Sequence, residues 1–305
     1  MKVRLVLNKK VDDGVPNDGW RLVAGQCRHV GVERIVAPTT PREAIKLVLS
    51  LAATQLPGEE DPDRNPESEG RVQILLLDIC RAYFNATTDD EVPTYVDLPK
   101  EHPQHGKAVA LLKKHMYGTL RAADGWQEEY SSTLVSLGFV QGVTSPCVFH
   151  HPKRGLVCAV HGDDFTLRGP KRELDNFEKE LSKKYEYKVG GRLGPGPQDA
   201  KQGTVLNRIV HWKADALEYE ADPRQCEKVL VELDLEDSKT LATPGLKPAS
   251  TEIAEDEPLE SSKHTLFRAV AARCNYLAMD RPECQYAAKE VCRFMAKPSS
   301  LIYKA

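Results

Sequence analysis

Apolar residues recur along this chain in two rhythms, and the order of those rhythms suggests an architecture. Ile74 to Leu77 form a near-continuous apolar run ending on Asp78, the signature of a strand buried on both faces. Leu156 to Val160 and Phe165 to Leu167 read as strands on either side of a short glycine-containing turn, which predicts a β-hairpin. Cys147 to His150 supplies one more strand. Helical spacing governs the stretches between: Trp126, Tyr130, Leu134 and Leu137 mark a helix over 121–137, and Leu174, Phe177 and Leu181 mark another over 171–185. Strand, helix, hairpin, helix, strand is the βαββαβ order, so an α+β fold with a split ferredoxin-like sheet is expected. In that arrangement the end of the Asp78 strand lies beside the tip of the hairpin.

The flanks are less regular. Met1 to Val36 reads as two short strands around the turn signals Asp12-Asp13-Gly14 and Asn17-Asp18-Gly19. Thr40-Pro41-Arg42-Glu43 has the form of a capping box, opening a helix to about Ala53 with Ile45, Val48, Leu49 and Ala52 on one face. An acidic, proline-rich loop over 57–70 follows. Beyond the second long helix, Gly190 to Pro197 reads as a turn-rich break. A strand pair is expected near Thr204–Trp212 and Leu217–Glu220, then a helix capped by Asp222-Pro223. Residues 246–262 read as a linker, and two helices close the chain.

Length and composition add bounds. At 305 residues the chain can form one large or two modest domains, and 41% hydrophobic with 29% charged residues reads as globular. No apolar stretch approaches the ~20 residues of a membrane span. The N-terminus lacks a signal-peptide core, so an intracellular protein, cytoplasmic or nuclear and not secreted, is expected. Eight scattered cysteines fit reduced thiols. A net charge of −3 argues mildly against nucleic-acid binding. The acids are concentrated in loops, however, and basic groups gather at Lys113-Lys114, Lys153-Arg154, Arg168 to Arg172 and Lys183-Lys184.

Candidate chemistry centres on Asp163 and Asp164 at the hairpin tip. Adjacent carboxylates repel, and a fold that keeps them needs a nearby cation unless the turn is simply solvated. With Asp78 beside them, unless it merely caps a turn, three carboxylates could hold two divalent ions about 3.5–4 Å apart for phosphoryl or nucleotidyl transfer. A rival constellation, Cys147-x-x-His150-His151 with Cys158-x-x-His161, has spacing suggestive of zinc. On strands, residues three apart point to opposite faces, which argues against it.

Several blocks together resemble the reverse transcriptase domain of copia-type LTR retrotransposons. Asp78 to Asn85 is similar to that family's first motif, Asp-Val-x-x-Ala-Phe-Leu-Asn, and His161-Gly-Asp-Asp stands where Tyr-Val-Asp-Asp is usual. Leu111 to Trp126 resembles the Leu-Tyr-Gly-Leu-Lys-Gln-Ala-Pro-x-x-Trp block. Val92 to Pro99, Gly138 to Phe149, Ala242 to Gly245 and His264 to Pro282 fit in the same order. The resemblance implies the palm of a right-hand polymerase, in which Asp78, Asp163 and Asp164 bind two Mg²⁺ ions, with Mn²⁺ as a substitute. It also implies that Tyr83 blocks a ribose 2′-hydroxyl, unless it is a core aromatic. Arg21, and Arg121 unless it caps a loop, would touch the incoming dNTP, and His161 and Gly162 would face the primer end. Partners implied are an RNA or DNA template with primer, and the remainder of a retroelement polyprotein; no membrane partner is expected. Expected regions are partial fingers over 1–70, palm over 71–190, a thumb-like region over 191–245, the linker 246–262 and a helical connection over 263–305, stopping where RNase H would begin. His161, Gly162 and Arg121 depart from the family pattern. Two alternatives stay open: a catalytically inactive remnant that at most binds nucleic acid, and another two-metal phosphoryl transferase on a similar sheet.

Overall fold

A six-stranded antiparallel sheet organises most of the buried apolar side chains. The computed structural model describes residues 2–12, 15–25, 40–54, 56, 58–59, 67–88, 93–239, 243, 251 and 256–304. Two compact units emerge, residues 1–203 with 212–217, and residues 204–211 with 218–305.

The first unit opens with a hairpin of β1 (Val3–Asp12) and β2 (Val15–Ala24). Asp12 pairs with Val15, and residues 13–14 of the first turn signal lie outside the described residues, while Asn17 to Gly19 lies inside β2 and makes no turn. Helix α1 (Arg42–Ala53) buries Ala44, Ile45, Val48, Leu49 and Ala52, as its spacing predicts. Its cap differs from the expectation. Pro41 takes the N-cap position without a side-chain cap, because the Thr40 hydroxyl donates instead to the Val160 carbonyl. That bond docks the start of α1 on the central sheet.

The sheet itself contains β3 (Val72–Ile79), β6 (Val140–Gln141), β7 (Val148–His151), β8 (Leu156–His161), β9 (Asp164–Pro170) and β10 (Tyr187–Leu193), in the order β10-β3-β9-β8-β7-β6. A small hairpin, β4 (Tyr95–Asp97) with β5 (Val109–Leu111), stands apart from it. Helices α2 (Ala122–Ser136) and α3 (Lys171–Leu181) occupy the connections β3 to β6 and β9 to β10. Ile74, Leu75, Leu76 and Leu77 are 0–5% exposed, so β3 is buried on both faces as its apolar run predicts. The helical stripes Trp126, Tyr130, Leu134 and Leu174, Phe177, Leu181 join one core cluster with Phe149, Val160, Phe165 and Leu167. Gly190 does not break the chain. It sits within β10 at a register shift between Val189 and Gly191, where an extra residue bends the strand against Leu76.

The basic clusters read from sequence are mostly neutralised inside the fold. Arg168 is 1% exposed, paired with Glu59 and bonded to the Leu51 carbonyl at 2.9 Å. Arg154 pairs with Glu173 and Glu180, Lys171 with Glu69 and Asp175, and Lys184 with Glu129. Residues from the acidic loop thus serve partly as counter-charges, because a buried guanidinium costs several kcal/mol unless paired.

After β10, β11 (Gln202–Val205), β12 (Arg208–Trp212) and β13 (Leu217–Glu220) pair in that order, making three strands where two were expected. Asp222 caps α4 (Pro223–Glu232), accepting from the Arg224 backbone N–H. Helices α5 (His264–Ala278), α6 (Gln285–Cys292) and α7 (Ser300–Lys304) follow. Arg208 pairs with Asp280 at 2.9 Å and covers the Tyr276 ring. Most of the 246–262 linker lies outside the described residues.

Removing one partner of a buried pair leaves an uncompensated charge. Glu59→Ala should therefore lower stability by about 3 kcal/mol in urea unfolding, whereas a loss under about 0.5 kcal/mol would mean that the pair is solvated.

Candidate active site

Register across β3 and β9 decides where the acids go. Asp78 is the direct cross-strand partner of Asp164, and His161 pairs with Asp164 from β8. Residues directly opposite share a sheet face, with Cβ atoms about 4.5–5.5 Å apart. The Ile79 N–H donates to the Asp163 carbonyl at 2.9 Å, which ties the hairpin turn to the end of β3. From the other side the Trp126 indole N–H donates to the Gly162 carbonyl at 2.8 Å. Gly162 takes φ +67°, the left-handed turn geometry that glycine adopts without steric cost.

Electrostatics reports the same convergence. Burial pushes the Asp164 carboxyl up to about 6, and the charges of Asp163 and Asp78 push it in the same direction. Burial also raises the Tyr83 phenol, with the Asp163 charge as the second cause. Asp78 is exposed, while Asp163 and Asp164 are half-buried. The three acids lie at one sheet end, where Asp78 has Asp164 opposite it on β9 and Lys188 opposite it on β10. Among the described residues, no three His, Cys, Asp or Glu side chains are arranged as they stand to hold one metal ion together. The backbone gathers these acids, and their side chains would have to turn inward to share an ion.

Tyr83 lies on the 3₁₀ turn Ala82–Asn85, entered through Arg81 at φ +54°. Its ring meets that of Tyr117 at 4.7 Å between centroids, and Phe84 meets Tyr117 at 5.7 Å. The Tyr117 carbonyl accepts from the Ala24 N–H at 2.8 Å. At Gly118 (φ +86°) a Cβ would come within 1.8 Å of the Ala24 carbonyl oxygen, so only glycine allows this approach. The end of β2 is thereby fastened to the segment that supports Tyr83. Arg21 lies on β2 opposite Val6, and its side chain is outside the described residues. Arg121 is exposed at the N-terminus of α2; burial lowers the pKa of nearby His115, with the Arg121 charge as the second cause, while burial raises the Asp124 carboxyl against the opposing Arg121 charge. His161 is half-buried and its Nδ1 has no hydrogen-bond partner among the described residues.

The residues of the zinc-like pattern point apart. Cys147 is buried and accepts from the Tyr130 hydroxyl, His150 is exposed, and His151 packs edge-on against Phe139. Cys158 is fully buried, which raises its thiol pKa. Sequence reading missed the parts played by Trp126, Tyr117 and Gly118. A tryptophan in a core stripe gives no sign that its N–H reaches the hairpin turn.

The reverse transcriptase (RNA-dependent DNA polymerase) family matches residues 6–195, the region holding all these groups. The chain belongs to this family. Among curated relatives, the retrovirus-related Pol polyproteins from transposons RE2 and RE1 of Arabidopsis thaliana are 26% and 25% identical over 238 residues. Each match takes in 74% of this chain and 15% of the polyprotein, so the reverse transcriptase chain spans a small part of its relatives' length. Copia-type identity, read from the motif order, is borne out. Two solved telomerases overlap weakly: an apo form from Candida tropicalis truncated from its C-terminal domain, and one from Candida albicans in complex with a telomeric RNA fragment. Their TM-scores are 0.34 and 0.32, with 10% and 9% identity. The matches cover 72% and 83% of this chain, and 55% and 46% of the telomerases. Likeness that slight bears no weight on the fold. Among the described residues no helix is long and apolar enough to cross a membrane.

The raised Asp164 carboxyl has a consequence for stability. The folded group holds its proton above the unfolded value of about 3.9, so the stability it contributes is full below about pH 4 and is lost as pH rises through about 6. For a carboxyl partly open to solvent the loss is roughly 1–2 kcal/mol. Asp164→Asn should gain that amount on the wild type between about pH 4 and pH 7 in urea unfolding. Parallel pH profiles for the two proteins would show an unstrained carboxyl.

Proposed function

We propose that this chain is the polymerase portion of a retrotransposon reverse transcriptase, adding dNTPs to a primer 3′-hydroxyl on an RNA or DNA template. The observation that carries the reading is the Asp78–Asp164 pairing with Asp163 alongside, inside the region matched by the family. We read the β10-β3-β9-β8 core with α2 and α3 as the palm, and β1–β2 as part of the fingers. Residues 191–245 would then be thumb-like and residues 263–305 a connection.

The donor chemistry fits a hard divalent cation: three carboxylates, with the Asp164 pKa raised by burial and then by the charges of Asp163 and Asp78. Asp78, Asp163 and Asp164 would hold Mg²⁺, with Mn²⁺ as a substitute. When bound, a pair of such ions lowers the pKa of the primer hydroxyl and neutralises departing pyrophosphate. The protein's own contribution is placement. Trp126 and Ile79 hold the backbone of the hairpin turn that carries Asp163 and leads into Asp164, the cross-strand partner of Asp78. Tyr83, supported by Tyr117, closes the space beside Asp163 where a 2′-hydroxyl would fall. Arg121 and Arg21 are the candidates for the triphosphate, where a guanidinium fork suits phosphate oxygens. His161 and Gly162 border the primer end.

Primer extension with Mg²⁺ on an RNA template tests this. The wild type should extend, and Asp163→Asn should lose on the order of a thousandfold in rate. Extension that survives the substitution would remove the metal–carboxylate mechanism, and no extension by either protein would favour an inactive remnant. Tyr83→Val should raise ribonucleotide use relative to deoxynucleotide use by about tenfold or more. An unchanged ratio would assign the ring to packing alone.

A further inference from the structure

Four cysteines gather around one helix of the second unit. Cys274 lies on α5, and the elements carrying the other three all pack on that helix: α4 with Cys226, the 3₁₀ turn Pro282–Cys284, and α6 ending at Cys292. The Cys292 thiol donates to the Ala271 carbonyl at 3.4 Å. In an α-helix that carbonyl also accepts from the backbone N–H four residues on, so it lies beside Cys274 and Asn275. The Cys292 sulfur is therefore next to Cys274. On the other side, the Cys284 N–H donates to the Arg281 carbonyl at 2.9 Å, and the Arg281 N–H to the Leu277 carbonyl at 3.0 Å. These two bonds tie the 3₁₀ turn to the helical turn that follows Cys274.

Electrostatics agrees with that arrangement. Burial raises the Cys274 thiol most, and the charges of Cys292, Cys284 and Cys226 raise it further, in that order. Burial raises the Cys292 thiol as well. All four are free thiols; Cys274 and Cys292 are half-buried, while Cys226 and Cys284 are exposed. Two chemistries suit clustered thiols: a soft metal ion held by several sulfurs, or disulfide exchange, which needs only two at a time. Among the described residues, no three metal-ligating side chains are placed around one ion. A central thiol with one inner neighbour and two at the surface fits exchange instead.

We propose that Cys274 and Cys292 form a reversible disulfide, reached from the surface through Cys284 and Cys226 by a small disulfide of the glutathione class. A thiolate at Cys284 attacks the small disulfide, forming a mixed disulfide and releasing one small thiol; Cys226 acts likewise. Cys274 then attacks the Cys284 sulfur and releases the second small thiol. Cys292 attacks Cys274 in turn, returning Cys284 to a thiol and leaving Cys274 bonded to Cys292. The protein gives up two protons and two electrons, and the small disulfide takes them as two thiols. The product fastens α5 to α6 and restricts the unfolded chain between them. All four cysteines fall outside the stretch matched by the family, so the proposal does not rest on the polymerase reading.

The test is incubation of the full chain in mixtures of reduced and oxidised glutathione, rapid alkylation, and peptide mapping without reduction. The wild type should yield a Cys274–Cys292 crosslink within single chains, reversed by excess dithiothreitol. Cys274→Ser should lose the crosslink and retain glutathione on Cys284. Cys292→Ser should lose it too, so a folding defect in one variant leaves the other to decide. Cys284→Ser with Cys226→Ser should give the same product at least about tenfold more slowly. Closure should also speed up between about pH 7 and pH 9, because raised thiols hold little thiolate at neutrality. A wild type that never forms this crosslink, a double variant that closes at the wild-type rate, or one zinc ion per purified chain that Cys274→Ser removes would each overturn the proposal.

Discussion

The pairing of β3 with β9 puts two carboxylates directly opposite each other, and the rest of the first unit is arranged around tolerating that contact. Like charges at this spacing oppose folding by about 1–2 kcal/mol in a partly solvated setting. Four buried aliphatic residues on β3, Ile74 to Leu77, each contribute about 1.5–3 kcal/mol of burial. The apolar strand therefore wins the contest, and the register it selects fixes where the acids fall. Slipping by one residue would turn Asp78 to the other face of the sheet and separate it from Asp164.

Supporting contacts reach this sheet end from distant parts of the sequence. Trp126 holds the hairpin turn from α2, Thr40 ties α1 to β8, and Gly118 lets the end of β2 approach the Tyr117 backbone. Elsewhere Arg154, Arg168 and Lys171 are satisfied by acids of the same unit. The clustered aspartates at the hairpin turn bring the carboxylate oxygens that a hard divalent ion takes.

Much of the central architecture was legible in the sequence, because burial imposes period on a strand or helix that packs against a core. Ile74 to Leu77 and the stripes of Trp126 and Leu174 show this directly. Turn residues were more ambiguous. Glycine marks both turns and bulges, so Gly190 was read as a break although it lies within β10, and Asn17 to Gly19 was read as a turn inside a strand. Thr40 is a good cap by type, yet a partner 120 residues away took its hydroxyl. Charged residues misled for the same reason: Arg168 and Glu59 are 109 positions apart, and no local pattern couples them. The acids stood out because carboxylates bordering apolar strands are costly.

Whether Asp78, Asp163 and Asp164 work as one metal-binding unit is best settled by a crystal structure grown with Mn²⁺ and a primer–template. The account predicts anomalous density within coordination distance of both Asp78 and an Asp of the hairpin turn, lost in an Asp78→Asn crystal. Manganese bound elsewhere, or a residue-78 carboxylate turned away from a hairpin-bound ion, would contradict it.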